Sequence, residues 1–206
     1  NKEELHKQIE RLSGISEPLE EKDEILDPNL LLGYDEQTSE PFMLNISDPV
    51  YLDIKSATTN EILEIIICQL MNRMNPTKIK IHVYDTQNLG MDFVTYTHAE
   101  HREYGLSLIT SHKEWEEFMR ELEADIRQFR FVLAEFGNIQ NFNKYMVENN
   151  SATREYHLII LLTPPKTYDF SGYLSNLGIH WISTCIPSKD DEREAFNKIF
   201  KNRVEI

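Results

Sequence analysis

Along this chain the hydrophobic positions switch between two periods, and each switch marks an element. Leu5, Ile9 and Leu12 recur at helical spacing, and the acidic, proline-containing stretch 16–28 follows them, so residues 1–29 read as a helix and linker ahead of a domain spanning 30–206. Phe42, Leu44 and Ile46 alternate with polar neighbours as in a strand, and residues 50–54 give a second strand beyond the turn at Asp48-Pro49. Thr58 with Glu61 three residues later has the form of a capping box. The stretch from there to Met74 is apolar on most sides until Asn75-Pro76 stops it, which predicts a helix buried in the core. Ile79, Ile81 and Val83 alternate again up to Asp85.

A second capping box, Ser111 and Glu114, opens a long helix whose inner stripe is Trp115, Phe118, Met119, Leu122, Ile126, Phe129, Leu133 and Phe136, with Gly137 at its end. A helical patch over 142–148 follows. The continuous apolar run 157–162 suits a strand covered on both faces. Residues 169–177 predict a short helix closed by Gly178, 179–185 another strand, and 188–201 a last helix with Phe196, Ile199 and Phe200 inward. Strands that alternate with helices require crossover connections, so the pattern predicts an α/β fold of three layers around a largely parallel sheet.

The turn from the second strand into the first buried helix has the layout of a phosphate-binding loop without its residues. Such a loop reads GxxxxGK[ST]: glycines let amides crowd around phosphates, the lysine reaches the β/γ oxygens and the hydroxyl holds magnesium. Here the corresponding residues are Lys55, Ser56, Ala57, Thr58, Thr59 and Asn60, with no glycine and no lysine directly before either threonine. Thr58 is therefore read as a helix cap, although a bare helix N-terminus still attracts an anion. Asp85, at a strand's C-terminal end, is a candidate remnant of a ligand site, set against the simpler reading that it begins a turn. The group His98-Ala99-Glu100-His101 matches no metal spacing and reads as a solvated loop, so no metal is expected. Tyr96 and Tyr104 either line a groove or anchor their own loop.

Composition narrows the function classes. The 206 residues include 21 basic and 35 acidic ones, a net charge of −14 that repels a phosphate backbone and argues against direct nucleic-acid binding. Cys68 and Cys185 sit far apart in apolar stretches and read as buried free thiols of a reducing compartment. The longest apolar runs fall far short of the roughly 20 residues that span a bilayer, and no signal peptide is visible. The chain starts on Asn1 and is read as a fragment of a longer polypeptide.

The order of these pieces resembles the FtsK/SpoIIIE family of motor ATPases over residues 30–206. The resemblance rests on Leu32-Gly33-Tyr34-Asp35, the strand and loop from Val50 to Thr59, the strand ending at Asp85, the run closing on Leu162-Thr163-Pro164-Pro165, and Gly178-Ile179-His180. Within the family, the wording around Gly33-Tyr34-Asp35 and the compact length are most similar to the C-terminal ATPase module of EssC-type proteins, the membrane-anchored motors of type VII secretion. The resemblance implies a RecA-like P-loop NTPase fold. It also places Leu162 and Thr163 at the Walker B position, where the family uses acidic residues for magnesium and the attacking water.

With both nucleotide motifs degenerate, no catalytic or nucleotide-binding residue is expected, nor any cofactor, ATP and magnesium entering only if the loop still binds. The expected function is a pseudo-ATPase module, a cytoplasmic domain of a bacterial membrane motor, that recruits secreted substrate proteins or regulates neighbouring ATPase modules. The alternatives are an ATPase domain active only in an assembled ring, and a module of a DNA translocation or conjugation motor.

Overall fold

A computed structural model describes residues 22–55, 59–98, 105–170 and 172–206. The predicted helix over 2–12 and the caps assigned to Thr58 lie outside the described residues, as do Ser56, Ala57, His101 and Tyr104.

Six parallel strands form one sheet in the order β5-β4-β6-β7-β3-β8: β3 Val50–Asp53, β4 Ile79–Tyr84, β5 Gly105–Ile109, β6 Tyr156–Leu161, β7 Ile179–Ser183 and β8 Asn202–Glu205. β1 (Asn29–Tyr34) and β2 (Pro41–Asn45) make a separate antiparallel hairpin. The helices are α1 Thr59–Arg73, α2 His112–Phe136, α3 Ile139–Glu148 and α4 Asp190–Ile199. This is the predicted three-layer α/β architecture.

The register in neighbouring strands sorts side chains onto two faces of different chemistry. One is aliphatic: Ile79, Ile81, Val83, Leu158, Ile160, Ile182, Val50 and Leu52 are buried, and so are Leu63, Ile66, Ile67, Leu70 and Met71 of α1. The hairpin joins this side. The Gln69 amide donates to the Leu31 carbonyl at 2.9 Å and accepts from the Leu31 N–H at 3.0 Å, a side chain standing in for a neighbouring strand. The other face is aromatic, with Trp181 stacked on Phe170 at 4.3 Å, Tyr84 against Trp115 at 4.7 Å and Tyr51 edge-on to Phe196 of α4 at 5.6 Å. α2 and α4 cover it.

Residues 22–28 strap the start of the domain to the edge opposite the strands' C-terminal ends. Asp23 exchanges backbone bonds with Arg73 and Asn75, while the Glu24 carboxylate accepts from Asn75 Nδ2 at 2.7 Å and Thr153 Oγ1 at 2.6 Å.

Two expectations need correction, and two strands are added to them. Residues 169–177 hold only the 3-10 turn Ser175–Leu177 with Gly178 as its left-handed cap, because Phe170 is committed to Trp181 and the Tyr173 carbonyl accepts from Trp181 Nε1 at 2.6 Å. Cys68 is exposed, since α1 is covered below and on its flanks but keeps an outer crest that includes Ile65 and Cys68. The hairpin's first strand and β5 were not foreseen: Leu30-Leu31-Leu32 does not alternate, and β5 is a five-residue edge strand containing Gly105 and Ser107.

Candidate functional site

α1 leaves β3 on the aliphatic face, whereas α4, which follows the neighbouring β7, lies on the aromatic face. The connections diverge here, and such a divergence opens a crevice outside the strands' C-terminal ends, where α/β sheets bind ligands. Lys55, Thr59 and Asn60 of the degenerate loop lie along this edge with Asp85, Leu162 and Thr163.

At the end of β3 the cation is already engaged. Lys55 Nζ pairs with Glu205 of β8 at 3.0 Å, and that hydrogen bond and charge raise the lysine's pKa. The backbone of Lys55 bonds to the Ile206 carbonyl at 3.3 Å, Arg203 pairs with Asp53, and its guanidinium lies 5.4 Å from the Tyr51 ring centre. The strand end is thus zipped to β8. On α1, Asn60 Nδ2 donates to Asp92 at 2.9 Å, which ties the helix start to the 3-10 segment Met91–Thr97. Glu61 stands in the first turn, where a carboxylate suits the helix dipole and repels an incoming phosphate.

At the end of β6, Leu162 donates its N–H to the Tyr84 carbonyl at 3.0 Å. Buried Thr163 accepts through Oγ1 from the Thr86 N–H at 3.1 Å and faces the Thr86 hydroxyl at 3.3 Å. Its hydroxyl stitches β6 to the loop after β4. Asp85 is buried in that loop and its carboxylate is saturated by amides, with Oδ1 accepting from Gln87 and Asn88 and Oδ2 from Gly90, each at 3.0 Å. Gly90 permits the turn, with φ +65° and a Cβ position only 2.9 Å from Leu108. Burial pushes the neighbouring Cys185 thiol up to about 11, which keeps it protonated and unreactive at neutral pH.

The described polar groups at these strand ends are engaged within the chain. The described positions lack a free cation at the loop, and the hydroxyl at the end of β6 is spent on Thr86. The Asp85 carboxylate holds three amides instead of facing the crevice. Among the described residues no three His, Cys, Asp or Glu side chains converge on a metal position, and His98 stands exposed.

Sequence reasoning overlooked a second cluster on the aromatic face. His82 Nδ1 lies 2.7 Å from Ser107 Oγ, and His82 Nε2 lies 3.1 Å from His157 Nδ1, a hydrogen-bonded chain across β5, β4 and β6. Burial first, then the charges of His157 and Lys80, lowers His82 to about 3; burial, partly offset by Glu155, lowers His157 to about 4. Both rings are neutral in the folded protein. The only sequence signal was two histidines at equivalent places in two strands. The pairing of Glu205 and Arg203 with the loop strand was equally hidden, since β8 lies beside β3 only after folding.

No protein-family model matches this sequence, and no curated protein matches it. Solved structures do. The cytoplasmic domain of the Thermomonospora curvata type VII secretion ATPase EccC aligns with a TM-score of 0.65 at 14% identity, over 91% of this chain and 24% of that one. The pCW3 conjugation coupling protein TcpA, in its monomer form with ATPγS, gives 0.62 at 16% identity over 92% of this chain and 56% of that one. ATPases 2 and 3 of T. curvata EccC, in complex with a signal sequence peptide, give 0.56 at 11% identity over 91% and 34%. This chain spans between about a quarter and just over half of those chains. Its fold is the RecA-like P-loop fold of the ATPase domains in type VII secretion and conjugation coupling proteins.

Proposed function

We propose that this chain is a non-catalytic, ATPase-like module of an FtsK/SpoIIIE-type motor of the EssC kind, a cytoplasmic part of a membrane-anchored machine that recruits protein substrates or regulates adjoining ATPase modules. The observation that carries this reading is the coincidence of an intact scaffold with two strand ends whose polar groups are consumed internally: Lys55 by Glu205, and Thr163 by Thr86. Both are places where an active ATPase presents charge to nucleotide and magnesium. The likeness to EccC ATPases 2 and 3 bound to a signal sequence peptide supports substrate recruitment. No helix among the described residues is long and apolar enough to cross a membrane.

Steady-state hydrolysis and a pull-down test both halves of the proposal. The chain is expected to release no phosphate from Mg-ATP above buffer, and to retain a secreted protein of the same machine on beads. Hydrolysis by the purified chain would contradict the first half, and failure to retain any such protein would contradict the second.

The likeness to TcpA favours one second reading, a module of a conjugation motor. A charge of −14 opposes direct DNA contact. Salt-dependent retention of duplex DNA would support that reading over the secretion one.

A further inference from the structure

The two ends of α1 are held by different parts of the chain. The helix runs out at Asn75-Pro76, and because proline supplies no N–H, the chain that follows cannot satisfy all of the last helical carbonyls. A segment far away in sequence caps them instead. Lys22 Nζ donates to the Met71 carbonyl at 3.1 Å and the Asp23 N–H to the Arg73 carbonyl at 2.8 Å, while the Asn75 N–H returns a bond to the Asp23 carbonyl at 2.9 Å. Arg73 then fastens the same turn to the rest of the strap, donating to Asp27 Oδ2 and to the Asn29 carbonyl, each at 3.0 Å. Leu26 of the strap is buried.

The other end of this 15-residue helix, about 22 Å away, stands in the crevice at the strands' C-terminal ends. There Asn60 Nδ2 donates to Asp92 Oδ2 at 2.9 Å. Asp92 follows Gly90, whose amide is held by the Asp85 carboxylate, so the first turn of α1 is tied to the turn that ends β4. Between its ends α1 meets the sheet through Leu63, Ile66, Ile67, Leu70 and Met71. Apolar attraction has no preferred direction, so these contacts resist lifting more than sliding. The polar ties at the two ends therefore set where the helix sits along its axis.

We propose that the strap and α1 form a link that carries displacement of the chain ahead of residue 22 to the crevice, so that this edge is regulated from the N-terminal side. Small sliding of a packed helix is one of the ways in which proteins pass a signal across a domain. The coupling is reciprocal: loosening the strap loosens the first turn of α1 and its tie to Asp92, and releasing that tie loosens the strap. It holds whether or not the crevice takes nucleotide, and testing it needs no ligand.

Hydrogen exchange of the full chain, read by mass spectrometry of its peptides, measures both ends at once. Asp27→Ala removes the carboxylate that holds Arg73, and Asp23→Pro removes the N–H that caps the helix. Each is expected to speed exchange about fivefold, the size of one lost hydrogen bond, in peptides covering 63–67 and 91–97, with β6 unchanged. Asn60→Ala, at the far end, should speed exchange over 22–27 to a similar extent. Gly137→Ala, at the end of α2, controls for lowered stability and should alter neither region. If Asp23→Pro does not fold, Asp27→Ala and Asn60→Ala decide the matter. Acceleration confined to residues 69–75, acceleration of equal size in β6, no change at the remote end, or the same effect from Gly137→Ala would overturn the proposal.

Discussion

At the scale of single residues, a few buried polar groups give the sharpest consequences. His82 and His157 keep pKa values of about 3 and about 4 in the fold, against 6.5 when unfolded. Between pH 6.5 and about 4 the unfolded chain takes up protons that the folded one refuses, so stability is complete above pH 6.5 and falls with acid. Each histidine adds a slope of about 1.4 kcal/mol per pH unit. Urea midpoints at pH 7 and pH 5 should therefore differ markedly in the wild type and much less in a His82→Gln, His157→Gln double variant; an equal drop in both would contradict the assignment. Asp85 gives a second expectation. Replacing it with alanine strands three amides in a buried turn and should cost roughly 3 kcal/mol in thermal unfolding, with Asp85→Asn in between. A neutral Asp85→Ala would return Asp85 to the list of ligand-site candidates.

Residues of this kind were partly legible in the sequence. That Leu162 and Thr163 bear no acid could be read directly; that Thr163 spends its hydroxyl on Thr86 could not, because the two come together only when β4 and β6 pair. Cys68 was misread for a related reason. Hydrophobicity reports that α1 is apolar all round, but only the sheet decides which side of it is covered.

Elements were more legible than contacts, because periodicity is local. The Ser111 and Glu114 capping box is formed at both ends, with Ser111 Oγ accepting from the Glu114 N–H at 3.2 Å and the Glu114 carboxylate accepting from the Ser111 N–H at 3.2 Å. α2 follows as the stripe predicts, burying Trp115, Leu122, Ile126, Phe129 and Leu133. Where tertiary contacts outbid local preference the reading failed, as at residues 169–177. The glycines closing these elements separate conformation from packing. Gly137 and Gly178 both have positive φ, +79° and +81°, but a Cβ at Gly137 meets nothing within 4 Å, whereas at Gly178 it would lie 2.5 Å from Ile139 Cδ1. Gly137→Ala should cost about 1 kcal/mol and Gly178→Ala distinctly more, measured by thermal melting of each variant. Equal losses would mean that α3 yields easily at Ile139.

Across the whole molecule, the sheet order, the aliphatic and aromatic faces and the likeness to EccC and TcpA describe a RecA-like P-loop fold. The strand ends describe something else. Glu205 pairs with Lys55, Arg203 with Asp53 and Thr86 with Thr163, so these groups are engaged within the chain. Surface pairs such as Lys55 with Glu205 are individually weak and do not by themselves exclude an anion. The stronger ground is at the two strand ends themselves, where the described positions of the loop and of the end of β6 carry a paired lysine and a threonine in place of a free lysine and an acid.

The central claim, that the scaffold has no nucleotide function of its own, is met most directly by isothermal titration of the full chain with Mg-ATP. The account predicts no measurable heat of binding at millimolar nucleotide, and saturable binding in the micromolar range would contradict it.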